Sequence, residues 1–302
     1  MLKVTIVFVL FTPYSFIFFS IYNILLLTLF TISNFYYYWI VIELIILLFM
    51  GLRYTLFVSS YSQLMRYFLI QAISSFSILI SFMYTYTFLF TVSVLLKLSI
   101  FPFYAWYINV IYRFPNFVLW LRGTLHKLPL LLMLFNFNIP LDTNLIWLSI
   151  ILTTLLSGFI ILMVFDIRIL LVLSSVGNNS WIVISQITDF LSFISFFFIY
   201  SLSLLFVLLS FSGLSKFSSY TSFSESNYSL SIWVVRLSGI PPLPLFFAKM
   251  SVILSLVNTH DLNYLFILFL LSNSLIVIAY LQSIIKFFIH SFTTSSHLLL
   301  KY

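Results

Sequence analysis

The sequence predicts an all-α integral membrane protein of about ten transmembrane helices, arranged as two inverted five-helix repeats with discontinuous helices. Three observations carry that prediction. The chain is 63% hydrophobic and 6% charged, whereas a soluble domain carries about 25% charged residues. Its apolar runs recur at the length that crosses a hydrocarbon layer, about 20 residues. Finally, Glu43, Lys97, Lys127 and Lys249 lie well inside apolar stretches. A charge there costs roughly 2.5–3.5 kcal/mol on insertion scales, and such charges persist where they face the protein interior or water.

In chain order the spans run near 4–31, 35–52, 65–84, 87–108, 115–137, 145–164, 169–187, 190–211, 229–257 and 262–288. The first opens like a signal peptide, but Pro13 and the lack of a small-x-small cleavage site mark it as a retained helix. Tyr84-Thr85-Tyr86-Thr87 divides the third from the fourth. The fourth holds Lys97 ahead of Pro102, and the fifth holds His126 and Lys127 just before Pro129. Each proline removes a backbone donor and invites a break. The seventh contains Ser174 to Ser180, the most polar stretch in any span. A Ser-rich loop at 212–228 precedes the ninth, in which Lys249 follows Pro241, Pro242 and Pro244. Residues 289–302 read as a short polar tail. The first repeat is expected over 1–140 and the second over 141–288, so that Lys97 and Lys249 fall in the fourth span of each.

Loop charges give an independent check. On the side that holds the N-terminus, ten spans place Lys3, Arg53, Arg66, Arg113, Arg168, Lys216, Lys286 and Lys301, with Asp166 and Glu225. The other side receives Asp142, Asp189 and Asp261, and neither lysine nor arginine. The positive-inside rule then puts both termini on the cytoplasmic or matrix side. The net charge of +7 is scattered singly and is explained by this topology rather than by nucleic-acid binding. With no cysteine, thiolate-held iron–sulfur or zinc sites are excluded. No dinucleotide or phosphate-loop motif is present. The adjacent His260 and Asp261 read as a helix cap rather than a metal site.

Lysine suits a proton relay because burial favours the neutral amine while a nearby carboxylate favours the ammonium. Glu43 lies roughly 12 Å and Lys97 roughly 15 Å into their helices by helix rise, deep enough to pair. Arg122 and Arg236 read as fixed charges that snorkel to the surface, since arginine does not release its proton. His126 reads equally as a titratable stop or as a buried, hydrogen-bonded ring. Ser174, Ser175 and Asn178 can hold water between the halves or act as interhelical glue.

These residues sit in a recognisable order. Lys97-Leu98-Ser99-Ile100-Phe101-Pro102-Phe103-Tyr104-Ala105-Trp106 resembles the KLGxAPFHFW stretch of the subunit 2 family of respiratory complex I (NADH dehydrogenase). Thr124 to Pro129 resembles its TWQKLAP, Leu173 to Trp181 its YSSIAHMGW, and Ser238 to Lys249 its GGLPPLSGFxPK. Trp39 to Glu43 resembles the segment that carries its early glutamate. The resemblance implies an antiporter-like, proton-pumping subunit of NADH:ubiquinone oxidoreductase in the mitochondrial inner membrane, with both termini in the matrix. It implies Glu43 and Lys97 as the coupling pair, Lys127 as the bridging residue and Lys249 as the terminal lysine. His126, Ser174, Ser175 and Asn178 would be auxiliary. It also implies other membrane-arm subunits and lipids as partners. This chain would bind no cofactor; NADH, FMN, iron–sulfur clusters and ubiquinone would belong to the assembled complex.

The chain departs from the pattern in places: His126 stands where the pattern has glutamine, and Leu245 to Ala248 diverge from it. The family histidines stand here as Tyr104 and Asn178, neither of which titrates near neutral pH. The alternatives are a subunit of a cation/proton antiporter, or the sister antiporter-like subunits 4 and 5 of complex I.

Overall fold

The computed structural model describes residues 13–56, 61–112, 114–137, 139–164, 167–211, 236–241, 243–258 and 264–299. The start of the first predicted span, the loop 212–228, residues 229–235 of the ninth span and the His260–Asp261 pair lie outside them. Among the described residues all regular structure is helical.

The helices are α1 (Pro13–Thr28), α2 (Phe35–Leu56), α3 (Tyr61–Tyr84), α4 (Thr87–Leu98), α5 (Tyr104–Ile111), α6 (Asn116–Gly123), α7 (Leu128–Phe137), α8 (Thr143–Met163), α9 (Ile167–Thr188), α10 (Phe190–Phe211), α11 (Pro244–Asn258) and α12 (Tyr264–Leu299). Counting Asn116–Phe137 as one run, seven are long and apolar enough to cross a membrane. Three more, Tyr14–Thr28, Thr87–Leu98 and Pro244–Asn258, are apolar but shorter. The described residues therefore do not give ten full-length spans. Two of the short helices, α4 and α11, have their own causes, breaks beside Lys97 and ahead of Lys249. At the far end α12 continues to Leu299, through the segment read as a polar tail.

Two compact units emerge, Met1–Ser149 and Ile150–Tyr302, with the boundary inside α8. In the first, α2 packs on α1, α3 and α7, while α3 packs on α4 and α5. Its interior is aromatic: Tyr22, Tyr38, Phe49, Tyr67, Tyr107 and Phe114 are all fully buried. Arg53, read as a loop residue, lies instead in the last turn of α2, 1% exposed, its guanidinium 3.6 Å from the centre of the Phe114 ring. A helix C-terminus and an aromatic face both attract a cation, which accounts for an arginine inside the protein here.

In the second unit α9 is central. Its most apolar window is 94% buried, against 33% for α12, and it packs on α10, α11 and α12. That position explains its polar, small-residue sequence, because small side chains let helices approach closely in a membrane. A Cβ on Gly177 would meet Ile276 Cδ1 at 2.7 Å. Hydroxyls join neighbouring helices too: Thr154 with Ser272, and Ser255 donating to Thr188 at 3.0 Å. Large apolar side chains such as Phe76, Phe88, Leu191 and Phe198 point outward, as lipid contact requires.

Candidate functional site

Lys97 sits at the end of a helix that stops inside the protein. After α4 the chain turns at Ser99, which is left-handed at φ 59 and ψ 46. Ser99 N–H bonds the carbonyl of Leu96 at 3.2 Å and Ile100 N–H that of Leu95 at 2.9 Å. This pair of bonds is a Schellman ending, which normally places glycine at the left-handed residue. The resembling family pattern has glycine there. Phe101 to Phe103 then lead into α5. Lys97 is 6% exposed, and among the described residues its Nζ has no hydrogen-bond partner.

Glu43 points from the middle of α2 and is half-buried, with Oε1 unpartnered among the described residues. It lies within electrostatic reach of Lys97, yet no hydrogen bond joins the two. The depth argument from helix rise thus brings them near each other without a direct pair.

The second break is built around Pro129. With no N–H, proline leaves the carbonyl four residues earlier, that of Leu125, without its α-helical donor. Leu128 N–H takes it instead, and the chain narrows to a 3₁₀ turn over Leu125–Lys127. Thr124, at φ −128 and ψ −91, separates this turn from α6. The carbonyl of Pro129 accepts the buried Tyr38 hydroxyl of α2 at 2.8 Å, which pins the far side of the break. Lys127 is 2% exposed, its Nζ 5.8 Å from the centre of the Tyr107 ring. His126 is also buried. Its Nδ1 lies 3.5 Å from the Tyr22 hydroxyl, and its ring 4.6 Å from that of Phe49. The buried-ring reading therefore describes where His126 is, while Lys97, Lys127 and Arg122 remain within its electrostatic reach.

Arg122 corrects the sequence reading. It does not snorkel: it is 1% exposed and faces the rings of Tyr67, Trp106 and Tyr107 at 5.2, 5.9 and 5.9 Å. Its Nη2 donates to the carbonyl of Lys97 at 3.1 Å. The aromatic residues gathered here come from α3 and α5, so no spacing within α6 announces them. Depth by helix rise gave the distance to the surface but not the face on which the side chain lies.

Lys249 belongs to the second unit. It is 6% exposed, near the start of α11, with its Nζ 5.3 Å from the centre of the Trp181 ring. The indole edge of Trp181 donates to Asn273 Oδ1 at 3.0 Å, so the tryptophan is held between two helices. Ahead of α11 the chain breaks at Gly239, φ +73, whose backbone packs on the lysine. Among the auxiliary candidates, Ser174 and Ser175 bond carbonyls of their own helix, Leu171 at 2.9 Å and Val172 at 2.7 Å. Asn178 is buried on the same helix. Tyr104, at the start of α5, is half-buried.

The arrangement has counterparts among known proteins. A family model described as NADH:quinone oxidoreductase/Mrp antiporter, TM, matches residues 85–279, more than half of the 302. The chain belongs to this family. The antiporter-family match takes in Lys97, Lys127 and Lys249 with all three breaks, and begins after Glu43. NADH-ubiquinone oxidoreductase chain 2 of Albinaria caerulea is 28% identical over 273 residues, which is 86% of this chain and 84% of that protein. A chain of respiratory complex I from Thermus thermophilus, solved with bound aureothin, has the same fold. Its TM-score is 0.65 at 16% identity, over 80% of this chain and 63% of that one. The present chain thus spans less than two thirds of that structure's chain.

Proposed function

We propose that this chain is an antiporter-like membrane subunit of a proton-translocating NADH:ubiquinone oxidoreductase, complex I, set in the mitochondrial inner membrane with both termini in the matrix. Its lysines carry protons, and the redox chemistry takes place in other subunits. The observation that carries the reading is that Lys97, Lys127 and Lys249, all buried, each accompany a break in a helix. A break frees backbone polar groups and admits water beside an amine that burial alone would leave isolated. The relatives named above support the assignment to complex I.

Within the first unit, Lys97 and Lys127 hold and release protons in turn. Glu43 acts on Lys97 through its charge, since no hydrogen bond links them. Moving that carboxylate by even a few ångströms changes the proton affinity of the lysine, which couples protonation to movement of α2. Lys249 acts as the terminal proton carrier, within the second unit. His126, Ser174, Ser175 and Asn178 support the relay. The chain contains no cysteine to hold an iron–sulfur cluster, and NADH, FMN and ubiquinone bind elsewhere in the assembly.

The test is Lys97→Met in the assembled complex, reconstituted in sealed vesicles. Proton pumping is lost while the complex still assembles. Pumping equal to the parent's would refute the relay. A sodium gradient that replaced the proton gradient would point instead to a cation/proton antiporter subunit.

A further inference from the structure

The end of α4 leaves four carbonyls without helical partners. Three are met locally: those of Leu95 and Leu96 by the Schellman bonds, and that of Leu98 by the Ser99 hydroxyl. The fourth belongs to Lys97 itself and is met from 25 residues away, by Nη2 of Arg122. An arginine on α6 therefore closes the broken end of the helix that carries the lysine.

Arg122 also lies within electrostatic reach of both lysines of this unit. Its guanidinium lies 5.9 Å from the centre of the Tyr107 ring, and Lys127 Nζ lies 5.8 Å from that same centre. The Tyr67 ring is shared in the same way, 5.2 Å from the guanidinium and 6.1 Å from the His126 ring. Charged and titratable groups reach it from every neighbouring element. They are Lys97 on α4, His126 and Lys127 in the 3₁₀ turn, Tyr67 on α3, Tyr107 on α5 and Tyr22 on α1. Glu43 on α2 reaches Lys97. Unlike the lysines, an arginine does not give up its proton. Its charge is therefore constant while theirs change.

We propose that Arg122 is a positioning residue for the relay: it fixes the break at Lys97, and its constant charge sets the pH range over which Lys97 and Lys127 exchange protons. The inference rests on the relay reading above. A fixed cation near both amines lowers the proton affinity of each, so that protons leave them at a lower pH than they would beside a neutral side chain.

Two substitutions separate shape from charge. Arg122→Gln removes the charge and leaves a polar amide on the same face, while Arg122→Lys keeps a cation that, unlike arginine, can lose its proton. Proton pumping and electron transfer are followed against pH in the assembled complex in vesicles. Removing a nearby cation favours the protonated amine, so Arg122→Gln pumps to a pH about one unit higher than the parent. Arg122→Lys holds its charge only while its own amine is protonated, so it follows the parent on the acid side and, like Arg122→Gln, pumps to higher pH on the alkaline side. A parental profile in Arg122→Gln, or a profile in Arg122→Lys that leaves the parent's on the acid side, overturns the proposal. Should the glutamine variant fail to assemble, the lysine variant decides: the parent's acid side with an alkaline side moved upward supports the proposal, and any other profile overturns it. Lys97→Met distinguishes the two levels. Normal pumping there refutes the relay, whereas pumping lost there with no shift in Arg122→Gln refutes only the role of Arg122.

Discussion

Gly239 lies directly against the ammonium of Lys249: a Cβ at this glycine would stand 3.0 Å from Nζ and 3.3 Å from Cδ and Cε. The glycine is also left-handed, at φ +73. The backbone thus replaces a side chain on one face of the lysine, while Trp181 covers another at 5.3 Å. Gly239→Ala meets both constraints at once. The left-handed backbone alone costs an alanine roughly 1–2 kcal/mol. The methyl group also displaces the amine from the tryptophan face. The expected outcome is a lower thermal midpoint for the complex and pumping that falls relative to electron transfer. Equal pumping per electron in variant and parent would show that the position of Lys249 does not matter.

Thr85 ends α3 as Ser99 ends α4. It is left-handed at φ 57, with Thr85 N–H bonding the carbonyl of Phe82 at 3.4 Å and Tyr86 N–H that of Ser81 at 3.1 Å. A β-branched residue is poorly suited to that conformation. Its hydroxyl bonds the carbonyl of the preceding residue, Tyr84, so little is lost with the side chain. Thr85→Gly is expected to stabilise the protein by about 1 kcal/mol, read as a raised thermal midpoint with activity unchanged. A lowered midpoint would mean that the turn is not held as described.

Tyr38→Phe tests the pin on the second break. The hydroxyl donates to the carbonyl of Pro129 at 2.8 Å, and the tyrosine side chain is wholly buried. Deleting the donor leaves a carbonyl with one partner fewer, at a cost of about 1–2 kcal/mol. The 3₁₀ turn holding His126 and Lys127 should then open more often. Hydrogen exchange at the backbone of α7 reads this directly, and faster exchange there than in the parent is expected. Exchange that is unchanged at α7 would place the restraint on the turn elsewhere.

The membrane fold was legible because hydropathy reports it almost without interference: nearly every segment is apolar enough to cross, and span boundaries follow from turn residues. The breaks at Lys127 and Lys249 were signalled by Pro129 and by Pro241 to Pro244, whose missing N–H groups act locally. At Lys97 the proline at 102 marked the region, but the turn itself falls at Ser99, where serine occupies a conformation usually given to glycine. What a single sequence hides is sideways contact. Arg122 looked like a surface anchor because its distance from a span end suits snorkelling, and Arg53 like a loop residue because it follows an apolar run. Partners from elsewhere in the chain hold them inside: the Tyr67, Trp106 and Tyr107 rings and the Lys97 carbonyl for one, and the Phe114 ring, between α5 and α6, for the other. Trp181 was likewise invisible as a partner of Lys249, since it stands 68 positions away on another helix.

Glu43→Gln isolates the charge of the carboxylate from its shape. Glutamine fills nearly the same volume on α2, so the helix packing survives. The residue is half-buried with Oε1 unpartnered, and it acts on Lys97 through space rather than through a bond. Removing the negative charge disfavours the protonated form of Lys97 and slows every cycle that needs a proton on it. A lost interaction of about 1 kcal/mol corresponds to about a fivefold fall in turnover. The fall should be greatest at alkaline pH, where loading the lysine is hardest, and smallest at acid pH. Turnover measured across that range in the assembled complex checks both the size and the trend. A uniform loss at every pH would mean that Glu43 supports packing alone, and parental turnover throughout would remove it from the relay.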